Sequence, residues 1–378
     1  MKTVIEETKM VRTDPSRPHL KSQEELLPPR GIYGGNTKRG KLVALLRGYF
    51  ASPVIATLGE MGMVERMMEG DFSESDWEST HRVEIISAMF RYLYSIGLLM
   101  KRTTGEYALT PDGRTSLGRN GAFSLLMSYA EYFHELPTML TARGAKPSVN
   151  RRRNVRGSGQ LHGKKFFPAA FDFFSSSAPT AIIDLGCGDG RFLALARERW
   201  TDLAIFGVDL SETAVEQTRM RLSPMIGSRR VAAVANGYDV AVWSEAVPEN
   251  VRRSPQLVIS MWFVGHEFSE GSAEKMVAFF SEVYERCPQA KVILGEINNI
   301  PAEILAEDHD LSIMPEFLLF HDLSGQGVLS WNMWLGILNK IPYILKADRR
   351  FDEVRSSSGE QIPASFIWLL EPKAPTLR

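Results

Sequence analysis

The stretch Ala181-Ile-Ile-Asp-Leu-Gly-Cys-Gly-Asp-Gly190 constrains the fold of this chain more than any other ten residues. An apolar run ends in an acid, and three glycines then alternate with other residues. The run reads as a buried strand and the glycines as a tight turn into a helix. Glycines at such a turn let a ligand lie against bare backbone, and the N-terminus of the helix that follows favours negative charge. The spacing is GxGxG, which differs from the GxGxxG of dinucleotide binding.

The 378 residues suffice for a sizeable core and two domains. With a net charge of −1 there is no global basic field to attract nucleic acid. Two cysteines, Cys187 and Cys287, exclude a disulfide scaffold and a cysteine-rich metal site, and they suit a reducing, cytoplasmic setting. The first ten residues lack an apolar signal region, and no uninterrupted run of 18 apolar residues occurs. Neither a secretory signal nor a membrane span is expected.

Residues 1–38 are polar and proline-broken, and read as a flexible leader. Residues 39–165 read as a mainly helical domain. Leu42, Leu45, Leu46, Tyr49 and Phe50 recur at helical spacing before Ser52-Pro53, which is expected to break or restart the helix. Val83–Gly97 reads as an amphipathic helix ending at glycine, followed by a two-stranded wing around Thr103–Glu106. A winged helix can bind DNA, but the third helix here has few exposed basic residues, so a pairing role is the better reading. Residues 141–160 read as a connector whose arginines are solvated, or one of which closes over an anionic substrate. Arg156 is the favoured one. From 166 to 378 strands alternate with helices. The candidates are Ala181–Leu185, Ala204–Asp209, Val231–Ala235, Leu257–Trp262, Lys291–Ile297, Tyr343–Arg350 and Ser365–Leu370, with the last two forming an antiparallel hairpin.

The glycine turn from Asp184 through Gly186 and Gly188 to Gly190, with Asp209 ending the second strand, resembles the cofactor motif of class I S-adenosylmethionine (SAM) methyltransferases. The Leu109–Arg114 segment resembles the end of the winged-helix dimerisation domain that precedes many of them. The fold class implied is α/β: a Rossmann-like seven-stranded methyltransferase domain after a winged-helix-like dimerisation domain, in a homodimer. In this reading the turn holds the methionine part of SAM and Asp209 accepts the ribose hydroxyls. Asn236 or Asp239 lies beside the adenine, and Ser260 joins the cofactor set. For Asp239 a helix cap is an equal alternative.

The fourth strand runs into Gly265-His-Glu-Phe268, and Phe317-Leu-Leu-Phe-His-Asp322 follows in the next loop region. In one reading His266 is the general base of a small-molecule O-methyltransferase, since imidazole titrates near neutrality. In the other, two histidines and a carboxylate make a facial triad for iron or another divalent metal. The pattern is similar to the iron-binding 2-oxo acid C-methyltransferases. That resemblance implies His266, Glu267 and His321 as metal ligands, where the family carries aspartate at the position of Glu267. It also implies C3 methylation of an amino-acid-derived 2-oxo acid through a metal-stabilised enolate, in natural-product or modified amino-acid biosynthesis. Asp322 is then a candidate proton acceptor. Trp262, Phe263, Phe317, Phe320, Trp331 and Trp334 line either a substrate pocket or the core. Glu316, if it faces the pocket, favours a cationic side chain such as that of 5-guanidino-2-oxopentanoate.

Overall fold

The computed structural model describes residues 38–141, 147–175, 177–227, 230–307, 314–355, 359 and 361–374. The leader expected at 1–38 lies outside them apart from Lys38, as do residues 142–146 of the expected connector. The described chain divides into two compact units. One contains Met67–Arg114 with the start of the first helix, and the other contains Leu45–Arg66 and everything from Thr115 onward.

In the first unit, the helix Val83–Ser95 buries Ile86, Phe90 and Leu93, spaced to share one face. It closes as sequence suggests. Gly97 takes φ +82°, its N–H donates to Tyr94, and the N–H of Leu98 reaches back to Leu93. Strands β1 (Leu99–Lys101) and β2 (Tyr107–Leu109) pair antiparallel, the two strands expected around Thr103–Glu106. Phe90 sits in edge-on contact with Phe72, Trp77 and Tyr107, an aromatic cluster that serves as the core.

The first helix, Lys38–Glu60, runs through Pro53 without a break, contrary to expectation. Proline removes only one N–H, and the carbonyl it orphans belongs to Tyr49, which is exposed to water. Ser52 Oγ also donates to the Gly48 carbonyl at 2.7 Å, occupying the neighbouring acceptor. Within this helix Gly40–Glu60 is long and apolar enough to cross a membrane by length and composition alone, at a mean hydropathy of 1.5. Lys41, Arg47 and Glu60 interrupt its apolar run.

In the second unit, all seven expected strands form one sheet: β3 (Ala181–Leu185), β4 (Ala204–Asp209), β5 (Ala232–Val234), β6 (Leu257–Trp262), β7 (Lys291–Ile297), β8 (Tyr343–Arg355) and β9 (Gln361–Pro372). Their order is β5-β4-β3-β6-β7-β9-β8. The first five run parallel, β9 runs antiparallel to β7, and β8 pairs with β9 as the closing hairpin, longer than expected. Helices cover both faces, so the strands are apolar on both sides. Ile183, Val208 and Ile259 enter one core, and Ile182, Ile205 and Val258 enter the other. From β3 the chain moves outward to β4 and later returns to β6 on the other side. That reversal opens a crevice at the carboxyl ends of β3, β4 and β6.

Candidate active site

The crevice is a cavity of about 520 Å³ built around the glycine turn. Gly186, Gly188 and Gly190 all take left-handed φ, of +73°, +57° and +72°. At Gly186 a Cβ would fall 2.5 Å from Val264 Cγ1, so only glycine lets the turn close against the β6 side of the crevice. Gly186 and Gly188 line the cavity. Gly190, expected to touch the cofactor, instead packs on Thr218, where a Cβ would come within 3.0 Å, and starts the helix Arg191–Arg199.

Asp209 closes one side of the turn. Its Oδ2 accepts the Gly188 N–H at 3.0 Å and its Oδ1 accepts the Ser211 N–H at 2.8 Å. Burial pushes its pKa up, while these two hydrogen bonds pull it back. Asp184 lies deeper, 2 % exposed, and burial drives its pKa up to about 8 against the hydrogen bond from Ser260 Oγ at 2.6 Å. Ser260 is thus beneath the site and does not line the cavity. It holds Asp184 because β6 pairs with β3 at exactly that register, Asp184 opposite Ser260. Asn236 lines the cavity, its Oδ1 accepting the Tyr238 N–H. Asp239 does not: its Oδ1 accepts the Val242 N–H at 3.1 Å and caps the helix Val240–Ala246. Of its two alternative roles, the cap is the one formed.

The expected connector is in large part a helix, Arg151–Gly163, capped by Asn150, whose Oδ1 accepts the Arg153 N–H. Arg151, Val155, Ser158 and His162 recur three or four residues apart and present one face to the crevice. Arg156 sits on another face. Its guanidinium donates to the carbonyls of Gly59 and Glu60 at the end of the first helix, so it is a helix clamp and does not line the cavity. Arg151 is the arginine at the site, its NH1 3.1 Å from Glu267 Oε1. His162 escaped the sequence reading, although its spacing from Arg151, Val155 and Ser158 was the available signal. It stacks on Phe263 at 3.6 Å between ring centroids, and burial depresses its pKa to about 3, leaving it neutral. Phe263 takes φ +55° as it leaves β6, a strained conformation for an aromatic residue at the lip of the cavity.

His266 and Glu267 lie on the short helix Gly265–Ser269 after β6. His321 and Asp322 lie on the helix Met314–Ser324, where a loop was expected. Both histidines are buried, and their Nε2 atoms are 3.2 Å apart. Each is oriented through Nδ1. His266 donates to Glu296 Oε1 at 3.0 Å, and His321 donates to the Phe317 carbonyl at 2.7 Å. Glu296, fully buried at the end of β7, also accepts the His266 N–H through Oε2. Burial lowers the His266 pKa, but the charge and hydrogen bond of Glu296 outweigh it and the net direction is up. For His321 burial and the neighbouring His266 act together and take it down to about 2.

Glu267 does not converge on the histidines. It accepts from Arg151 and from Gln326 Nε2 at 3.0 Å. Among the described residues no three His, Cys, Asp or Glu side chains gather as a ready-made metal site. Asp322 is exposed, one step around its helix from buried His321, and is not placed to accept a proton from the cavity. A second cavity of about 450 Å³ shares Arg151, Glu267 and Glu270 with the crevice, and Tyr132, Ser324 and Gln326 complete much of its wall. Trp262 and Phe263 line the crevice and Phe317 stacks on His321, whereas Phe320, Trp331 and Trp334 belong to the core. Glu316 faces solvent, so it gives no reason to expect a cationic substrate.

A methyltransferase-domain family profile matches residues 182–283, the turn and the strands that flank it. The 2-ketoarginine methyltransferase of Streptomyces arginensis is 25% identical over 327 residues, covering 84% of this chain and 92% of that protein. A trans-aconitate 2-methyltransferase of Methylobacterium radiotolerans is 36% identical over 93 residues, 24% of this chain and 30% of that protein. Among solved structures, an O-methyltransferase family protein from Burkholderia thailandensis superposes with a TM-score of 0.57 at 14% identity, covering 90% of this chain and 99% of that one. The calicheamicin-biosynthesis methyltransferase, solved with S-adenosylhomocysteine bound, gives 0.53 at 13% identity over 89% and 99%. Sheet order, glycine turn and relatives agree: the chain is a class I SAM-dependent methyltransferase.

Proposed function

We propose that the enzyme transfers the SAM methyl group to C3 of an amino-acid-derived 2-oxo acid. The observation that carries this reading is the pair of buried histidines beside the cofactor crevice, each tied through Nδ1 with its Nε2 turned to the other. A metal-binding imidazole is commonly held this way, its second nitrogen fixed by a carboxylate or carbonyl. Two nitrogens bound at ~2.1 Å to one ion at right angles stand about 3.0 Å apart, close to the 3.2 Å separation here. His266 and His321 would therefore suit two positions of a divalent ion, and Glu267 would serve as a third ligand only on leaving both Arg151 and Gln326. When bound, such an ion supplies Lewis acidity to the 2-oxo group. The near-full-length similarity to a 2-ketoarginine methyltransferase supports the same substrate class.

The chain's own residues then do the following. Arg151, between the two cavities, takes the substrate carboxylate through its planar fork. Asp209 and the glycine turn fix the cofactor. C3 loses its proton to solvent, the enolate carbon bonds in line to the sulfonium methyl as the sulfur–methyl bond breaks, and the sulfur leaves as a neutral thioether. The stacked His162–Phe263 pair walls the crevice without adding charge.

A second reading, O-methylation with His266 as base, is favoured by the Glu296–His266 pair, which raises the basicity of that imidazole. Two measurements separate the readings. Elemental analysis is expected to find near-stoichiometric metal in the wild type, lost in His321→Ala. Incubation of 5-guanidino-2-oxopentanoate in deuterated water without SAM is expected to exchange its C3 protons. A metal-free wild type that methylates a catechol would overturn C-methylation.

We also propose a homodimer. Leu42, Leu45, Leu46, Tyr49 and Phe50 make an exposed apolar stripe on the first helix, with Leu45 75% and Tyr49 78% exposed.

A further inference from the structure

Among the described residues, the crevice is lined by five acidic residues and two arginines, Arg151 and Arg191. SAM carries two positive centres, its sulfonium and its ammonium, and one carboxylate. The acidic lining suits the positive centres, and the carboxylate requires a cation that is not already matched. Arg151 is paired with Glu267 at 3.1 Å and, in the function proposed above, exchanges that partner for the substrate carboxylate. Arg191 is not matched in this way. Its nearest acid, Asp189, is claimed by Arg221, which sets NH2 at 2.6 Å from Oδ2 and Nε at 2.7 Å from the Asp189 carbonyl. Arg191 NH2 stands 3.5 Å from the same Oδ2, the outer limit of a hydrogen bond. Its Nε is buried and has no hydrogen-bond partner among the described residues.

Position supports the same assignment. Arg191 opens the helix that follows Gly190, so it stands at the end of the glycine turn. If Asp209 held the ribose, the amino-acid end of the cofactor would extend along that turn. Gly163 of the Arg151–Gly163 helix leaves room for the Arg191 side chain, since a Cβ there would be 3.1 Å from Arg191 Cδ.

We infer that Arg191 binds the α-carboxylate of SAM through charge-assisted hydrogen bonds, with Asp189 and Arg221 holding the turn beneath it. The inference rests on the cofactor, not on the identity of the methyl acceptor. It is tested by calorimetric titration of the full-length protein with SAM and with decarboxylated SAM, which keeps the sulfonium and ammonium and lacks only the carboxylate. Arg191→Met is expected to raise the Kd for SAM roughly ten- to a hundredfold, the scale of a hydrogen bond to a charged group. The Kd for decarboxylated SAM is expected to stay within about twofold of wild type. Arg191→Lys, which keeps the charge and loses the fork, is expected to lose an intermediate factor for SAM alone, and it decides the question if Arg191→Met does not fold. Equal losses for both ligands, or an unchanged Kd for SAM, would overturn the assignment.

Discussion

Asp184 shows how a single buried carboxyl leaves its mark on the behaviour of the whole chain. Its pKa rises from an ordinary 3.8 to about 8, because burial outweighs the hydrogen bond from Ser260. Between these values the folded protein keeps a proton that the unfolded chain has released. Stability contributed by that proton is complete below pH 3.8 and is lost as pH rises toward 8. Asp184→Asn removes the titration and keeps the shape. Denaturant unfolding at pH 5 and pH 8.5 is expected to show the variant gaining on wild type at the higher pH, by on the order of a few kcal/mol. Parallel pH trends for the two proteins would show that Asp184 does not hold the proton. Residue-level roles were only partly legible in the sequence. His266 and His321 stood out as histidines followed by acids. Their second-nitrogen partners did not, because Glu296 and the Phe317 carbonyl become neighbours only through the pairing of β6 with β7 and one turn of helix.

At the scale of elements, the helix Arg151–Gly163 departs furthest from its sequence. Two interior residues, Gly157 and Gly159, and the last, Gly163, are glycines, and each interior glycine disfavours a helix by about 1 kcal/mol. Propensity therefore argued for a loop. Tertiary contact decides otherwise, since those glycines allow close approach to the helix Asn120–Ser128 and to the Asp189–Arg191 turn. A Cβ at Gly157 would lie 2.5 Å from the Leu125 nitrogen and 2.7 Å from the Gly121 carbonyl oxygen, both backbone atoms that cannot rotate away. Gly157→Ala is accordingly expected to destabilise by about 1–3 kcal/mol despite the better helix propensity of alanine, read as a lower Tm. An unchanged or higher Tm would mean that the two helices are not in backbone contact. The strands were far easier to read, because apolar runs bounded by Asp184 and Asp209 have no plausible helical alternative at that length.

For the whole molecule, the apolar stripe of the first helix, exposed among the described residues, is the surface assigned above to the dimer. Changing Leu45 and Tyr49 together to glutamate is expected to convert a dimer to a monomer in sedimentation analysis. A wild type that already sediments as a monomer would end the proposal. Sequence showed the stripe but not its continuity, since Pro53 argued for a break that the helix does not make. The Arg151–Gly163 helix has a wider consequence. It gives Ser158 and His162 to the cofactor crevice and Arg151 to both cavities. Ligands seated in the two cavities would touch the same helix, and whatever factor the first applies to the binding of the second, the second applies in return to the first.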